Sequence, residues 1–195
     1  ESEANKETYA TKFNRVDILC ENSQKELMII EIQNTHEFDY LQRIIFGTSK
    51  LITEYIKEGE PYSKIKKVYS INLIYFDFGQ GQDYIYHGTT RFMGIHNHDE
   101  LQLNENQKKL YQDKQVYQIF PEYYLIKINQ FNDIAKDTLD EWIYFLKNEE
   151  IQQGFTAKGL KEAKKNLDVL KLNEKERQIY KGYLEHLHDE ASYVE

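Results

Sequence analysis

The chain has 195 residues and a formal net charge of -8, which argues against strong nonspecific DNA binding because that binding rests on Lys and Arg. The length allows a sizeable core, and no apolar run approaches the roughly 18 residues that span a membrane. No signal-peptide pattern occurs and the single cysteine excludes a disulfide framework, so we expect a cytoplasmic protein with no membrane partner.

Two predicted strands near the start of the chain carry charged residues inside apolar runs. Asp17 lies in the run 15–20, and Glu31 and Gln33 lie in the run 27–33. The polar residues between the runs predict a β-hairpin. Burying an unpaired carboxylate is costly, so these charges indicate a site.

The register of this hairpin decides whether the two carboxylates meet. Side chains alternate along a strand, so Glu31 and Gln33 share a face. If Asp17 lies opposite Glu31, residues 23–25 form a three-residue loop, which is a common length. A slip by one residue would place the two carboxylates on opposite faces. The remaining side chains of both runs are apolar on the other face, which is typical of a sheet covered by helices on both sides.

Adjacent carboxylates repel one another, and a divalent cation relieves that repulsion. Mg²⁺ prefers one or two carboxylates, several waters and a substrate phosphate, which a pair such as Asp17 and Glu31 can offer. The alternative is a solvated pair of carboxylates, or a pair bound by Arg15 and Arg43.

The third predicted element is an amphipathic helix over residues 35–58. Asn34 and Glu37 have the spacing of a capping box, and Gly59 is a plausible stop. Arg43 on this helix can bind a phosphate or pair with an acidic neighbour, Glu31 or Asp39. The apolar stripe expected to define the helix comprises Phe38, Leu41, Ile45, Thr48, Ile52 and Tyr55.

The middle of the chain predicts further strands. Residues 68–78 form a nearly continuous apolar run, and a hairpin turn at 79–83 leads to a second strand at 84–92. Residues 93–111 show no pattern, and 123–128 predict one more strand. From residue 133 onward the pattern is helical, with three apolar stripes, the last running from Ile179 to Leu187.

The Asp…Glu-x-Gln pattern of Asp17, Glu31 and Gln33 resembles the PD-(D/E)XK nuclease superfamily. More narrowly, it resembles the bacterial recombination-promoting nuclease and transposase family, which has Gln where most relatives have Lys. The likeness continues through Arg43, Ser49-Lys50, Lys57-x-Gly59-x-x-Tyr62, the strand 68–78 and the segment 123–131, and weakly through 163–180.

This resemblance implies a restriction-endonuclease-like three-layer α/β/α core with a helical C-terminal extension. It implies that Asp17, Glu31 and the backbone carbonyl of Ile32 are metal ligands for Mg²⁺, with Mn²⁺ as a substitute. Gln33 would be the third catalytic residue, orienting the attacking water or a phosphate oxygen. Gly47 departs from the family, where an aromatic residue usually follows the position of Phe46, which affects helix packing more than chemistry.

The resemblance divides the chain into a nuclease-like domain at 1–131 and a helical extension at 132–195. Family members carry a helix and a strand before the Asp strand, whereas sixteen residues precede Asp17 here, so we expect a missing or truncated first part. The expected function is metal-dependent DNA cleavage linked to recombination or transposition. Arg15 and Arg43 are the expected DNA contacts, and double-strand cutting would call for a homodimer. The alternative is an inactive relative that acts as a DNA-binding or protein-interaction module.

Overall fold

The computed structural model describes residues 18–171 of the chain, which falls into two compact units, residues 1–130 and residues 131–195. Arg15, Asp17 and the predicted stripe from Ile179 to Leu187 lie outside the described residues. No helix in the described range 18–171 has the length and apolar content needed to cross a membrane.

One mixed five-stranded sheet forms the centre of the first unit. The order across the sheet is first, second, third, fifth and fourth strand; the second, third and fifth are parallel, and both edge strands are antiparallel to their neighbours. The strands are β1 (Ile18–Glu21), β2 (Leu27–Gln33), β3 (Val68–Ile74), β4 (Ile85–Gly88) and β5 (Glu122–Lys127).

Five α-helices accompany the sheet in the described part of the chain. Three belong to the first unit: α1 (Tyr40–Tyr55), α2 (Glu105–Leu110) and α3 (Val116–Ile119). Two belong to the second unit: α4 (Thr138–Asn148) and α5 (Leu160–Lys171). The fold is therefore mixed α/β, which is compatible with a PD-(D/E)XK-like core.

The first hairpin has the register that the sequence predicts. Ile18 pairs with Ile30, and the backbone N–H of Asn22 donates to the carbonyl of Glu26 at 3.0 Å. Residues 23–25 are left as a three-residue loop, which closes with Lys25 in the left-handed region at φ 66°. Asp17 itself lies outside the described residues, so its place opposite Glu31 stays a prediction.

The buried face of α1 differs from the predicted stripe. The helix buries Tyr40, Ile44, Thr48 and Leu51 against the sheet. Apolar residues occupy two adjacent faces of the helix, one with Ile44 and one with Ile45. Their spacing along the sequence does not show which face packs on the sheet. The predicted residues that are instead exposed are Phe38 at 98%, Leu41 at 50%, Ile45 at 55% and Tyr55 at 42%.

Both predicted ends of α1 are also wrong. The helix begins after Asp39, which makes no side-chain capping bond, so the Asn34–Glu37 capping box does not form. It ends at Tyr55 because Ile56 is extended, with φ −100° and ψ 125°. Gly59 lies beyond this end, in a turn that uses its positive φ of 83°.

The strand order corrects the predicted second hairpin. β3 ends at Ile74 and β4 covers only Ile85–Gly88, so both are shorter than predicted. β5 lies between β3 and β4, and the turn at 79–83 therefore does not join paired neighbours. Residues 93–111, which show no sequence pattern, include α2 with a capping box formed by Asn104 and Gln107.

The two faces of the β1–β2 hairpin are covered unequally within the described part of the chain. Leu27 and Ile29 pack against Leu51 of α1 on one face. On the other face Ile18 is 44% exposed and Ile32 is 40% exposed. The predicted third layer is thus not seen over this hairpin among residues 18–171, and the three-layer core stays a prediction.

The second unit has a helical core of its own in its described part. Phe145 of α4 packs with Ala157 and Leu160, and Trp142 and Leu167 lie against them. Asp137 caps α4 by accepting from the backbone N–H groups of Leu139 and Asp140. The assignment of residues 132–195 as a helical C-terminal extension stays a prediction.

A buried ion-pair cluster lies where the parallel strands begin. Glu122, the first residue of β5, accepts from Lys67 Nζ at 2.8 Å and contacts His87 Nε2 at 2.7 Å. The side chains of Lys67 and Glu122 are only 3% and 9% exposed. Burial alone would raise the pKa of Glu122, but the hydrogen bonds from Lys67 and His87 outweigh it and hold that pKa below its ordinary value.

The carboxylate of Glu122 makes stability depend on pH in a defined direction. Because the folded-state pKa of Glu122 is lowered, its contribution is present above the unfolded pKa and is lost as pH falls through the folded pKa. We expect Glu122→Gln to lower the free energy of unfolding by about 2–4 kcal/mol at neutral pH, since Lys67 loses its buried countercharge. The difference from wild type should shrink as pH falls below about 4, measured by urea unfolding.

The matched control is Glu105→Gln, which removes the same charge from a surface pair with Lys108. Its side chain is 81% exposed, so no measurable change is expected. A Glu122→Gln deficit that stays constant from neutral to acidic pH would contradict the ion-pair account.

Candidate functional site

Glu31 and Gln33 lie together on the face of β2 that α1 covers. Leu27 and Ile29 precede them on that face and are buried in the core beneath the helix. The Glu31 side chain is 14% exposed and Gln33 is buried. The alternation along β2 therefore brings the two residues to one place, as the sequence predicts.

Arg43 reaches this place from the first turn of α1. Its Nη1 donates to Glu37 Oε1 at 2.6 Å, and its Nη2 lies 3.8 Å from Glu31 Oε2. The guanidinium therefore bridges two carboxylates and is held closer to Glu37. Asp39, the other predicted partner, meets Arg43 through the helix backbone, its carbonyl accepting the Arg43 N–H at 3.0 Å.

Gln33 is fixed by two acceptors in the loop between β2 and α1. Its Nε2 donates to the backbone carbonyl of Thr35 at 2.9 Å and to Glu37 Oε1 at 3.1 Å. Glu37 therefore accepts from both Gln33 and Arg43. The end of β2 therefore carries one connected polar group of four side chains: Glu31, Arg43, Glu37 and Gln33.

A buried amide lies beside Glu31 on the neighbouring strand. Asn72 of β3 pairs with Glu31 across the parallel ladder and is fully buried. Its Oδ1 accepts from Tyr40 OH at 3.0 Å, and its Nδ2 donates to Ser70 and to the carbonyl of Tyr124. The residue is thus tied to α1, β3 and β5 at once.

A small cavity lies beside this polar group. A cavity of about 10 Å³ is lined by Glu31, Arg43 and Gly47, among others. That volume is about the smallest that holds one water molecule. The cavity therefore lies next to the carboxylate of Glu31 and beside Gly47.

The described residues fit part of a divalent cation site. Within residues 18–171 no group of three His, Cys, Asp or Glu side chains is placed to hold a metal ion. Glu31 offers a hard carboxylate donor, and Mg²⁺ keeps several waters and needs only one or two protein carboxylates. Arg15 and Asp17 lie outside the described residues, so the predicted second carboxylate stays a prediction.

Two residues of this site were not found from the sequence. Glu37 was assigned to a capping box, a local pattern that concealed its contacts with Gln33 and Arg43. Asn72 is a polar residue within the nearly continuous apolar run 68–78, and its pairing with Glu31 depends on the parallel register. A polar residue inside a buried strand was the one available signal.

Comparison with known families adds to this geometry. A family model described as PD-(D/E)XK nuclease family transposase matches residues 1–195. The chain belongs to this family. No curated protein and no solved structure matches it. Membership supports a nuclease- or transposase-related function, and the superfamily generally uses divalent metal ions.

The buried hydrogen bond between Tyr40 and Asn72 can be tested by removing its donor. Tyr40→Phe removes the hydroxyl that donates to Asn72 Oδ1, which leaves a buried acceptor without that donor. We expect the free energy of unfolding to fall by about 1–3 kcal/mol, measured by urea unfolding. Tyr62→Phe is the matched control because Tyr62 is 85% exposed, and it should change nothing. Equal effects of the two substitutions would refute the buried hydrogen bond.

Proposed function

We propose that this PD-(D/E)XK nuclease family protein is a Mg²⁺-dependent DNA endonuclease that acts in recombination or transposition. The observation that carries the proposal is the placement of Glu31 and Gln33 on one face of β2, with Arg43 beside them. Membership in the family, over the whole printed sequence, supports the same chemistry.

The proposed metal ligands are Asp17, Glu31 and the backbone carbonyl of Ile32. A divalent cation bound there would lower the pKa of a coordinated water and offset negative charge on the phosphate. Glu31 contributes a largely buried carboxylate, and Arg43, which it shares with Glu37, lies 3.8 Å from it. Mn²⁺ is expected to substitute for Mg²⁺ because both accept oxygen ligands in octahedral geometry.

Gln33 and Arg43 are the proposed substrate-facing side chains. Gln33 carries no charge and acts by hydrogen bonding, whereas the guanidinium of Arg43 keeps donors beyond those used by Glu31 and Glu37. Arg43 is therefore the described residue best suited to contact a phosphate, and Arg15 is the second proposed DNA contact.

The alternative is an inactive relative that binds DNA or a protein partner. The net charge of -8 favours it, and several lysines of the first unit pair with acidic neighbours. Lys64 pairs with Glu60, Lys66 with Glu21, and Lys108 with Glu105. The charges of these three lysines are therefore partly offset, which counts against a phosphate track at them.

Cleavage of supercoiled plasmid in Mg²⁺ or Mn²⁺ tests the proposal. Wild type should nick or cut the plasmid, and chelation by EDTA should abolish the reaction. We expect Glu31→Gln to lower the rate by about 10²-fold or more, because the substitution removes the charge of a metal ligand while keeping the size of the side chain.

Glu58→Gln is the control, since it removes the same charge from an exposed residue beyond α1. It should leave the rate unchanged. A folded wild-type protein that cuts nothing at high concentration in either metal would reject the endonuclease and leave the inactive relative. Equal losses in both variants would show that Glu31 has no special role.

A further inference from the structure

Glu37 is the one described side chain that touches both Gln33 and Arg43 through a single oxygen. Its Oε1 accepts from Gln33 Nε2 at 3.1 Å and from Arg43 Nη1 at 2.6 Å. Glu37 precedes α1 and makes no capping bond there. Its contacts therefore lie with the residues of the candidate site rather than with the helix backbone.

These contacts decide which way the amide of Gln33 points. The two partners of Nε2 are the carbonyl oxygen of Thr35 and the carboxylate of Glu37, and both can only accept hydrogen bonds. A flipped amide would place its oxygen against two other oxygens, so the network fixes the orientation. Both amide hydrogens are used, and the carbonyl oxygen Oε1 is the atom left to meet a water.

We propose that Glu37 is a positioning residue that holds Gln33 with Oε1 as the acceptor for the attacking water. This inference rests on the proposed endonuclease function and separates the two roles open to Gln33. A phosphate oxygen needs a donor, and Gln33 has none left, whereas a water can donate to Oε1. The phosphate contact then belongs to Arg43, whose guanidinium is anchored by the same Glu37 oxygen.

The orientation of Gln33 can be measured without any catalytic activity. In ¹⁵N-labelled protein the side-chain amide signals of Gln33 are identified by their loss in Gln33→Ala. We expect these amide hydrogens to exchange with water about tenfold faster in Glu37→Ala than in wild type, because one of their two hydrogen bonds is gone. Glu58→Ala, the exposed control, should leave the exchange unchanged. Identical exchange in wild type and Glu37→Ala would overturn the inference.

Kinetics of plasmid cleavage at saturating metal supply the second readout. Gln33→Ala should lower kcat about tenfold with little change in the KM for DNA. Glu37→Ala should lower kcat by a similar factor and also raise the KM, because it releases Arg43 as well. If Glu37 acts on the chemical step through Gln33, the kcat of the double variant is no lower than that of Gln33→Ala alone. Losses in kcat that multiply in the double variant would show that Glu37 acts on this step independently, which overturns the inference.

The two proposals fail in different ways. A folded wild type without cleavage in Mg²⁺ or Mn²⁺ rejects the endonuclease function, while the exchange of the Gln33 amide still decides whether Glu37 fixes it. Glu37→Gln serves as a milder variant that keeps the size of the side chain. It should fall between wild type and Glu37→Ala in amide exchange, since its carbonyl can still accept one hydrogen bond.

Discussion

The alternation of side chains along β2 is the constraint on which the candidate site depends. Leu27 and Ile29 must face α1 because they form the core, and this fixes Glu31 and Gln33 on the same covered face. The parallel register with β3 then sets Asn72 beside Glu31. A shift of β2 by one residue would turn Ile30 and Ile32 toward α1 in place of Glu31 and Gln33.

Placing polar side chains under a helix has an energetic cost that the structure offsets locally. Glu31 and Glu37 share one guanidinium, and Gln33 is bonded on its amide side. Each side chain of the group is bonded to another member of it. Removing one of them would therefore leave a buried polar atom without its partner. This dependence also explains why α1 must present Arg43 at its start, close to the end of β2.

Local sequence patterns predicted the features of the fold that depend on residues close together in the chain. The hairpin register followed from loop length and pleat, and the described pairing of Ile18 with Ile30 agrees with it. The face of α1 did not follow, because two apolar stripes compete and only the sheet selects Ile44 over Ile45. The position of β5 between β3 and β4 is a long-range pairing that no local pattern encodes. For the same reason Glu37 was taken as a cap, and Asn72 was not linked to Glu31.

The presence of Gln rather than Lys at position 33 redistributes charge within the site. An ammonium could balance a phosphate and donate to it at once, whereas an amide whose hydrogens are both bonded does neither. The positive charge near Glu31 comes instead from Arg43, on the helix. The site thus divides its roles between a fixed acceptor on the strand and a cation on the helix, whereas a protonated lysine would supply charge and donors but no acceptor. Glu37 connects the two residues, because its Oε1 accepts from the amide of Gln33 and from the guanidinium of Arg43.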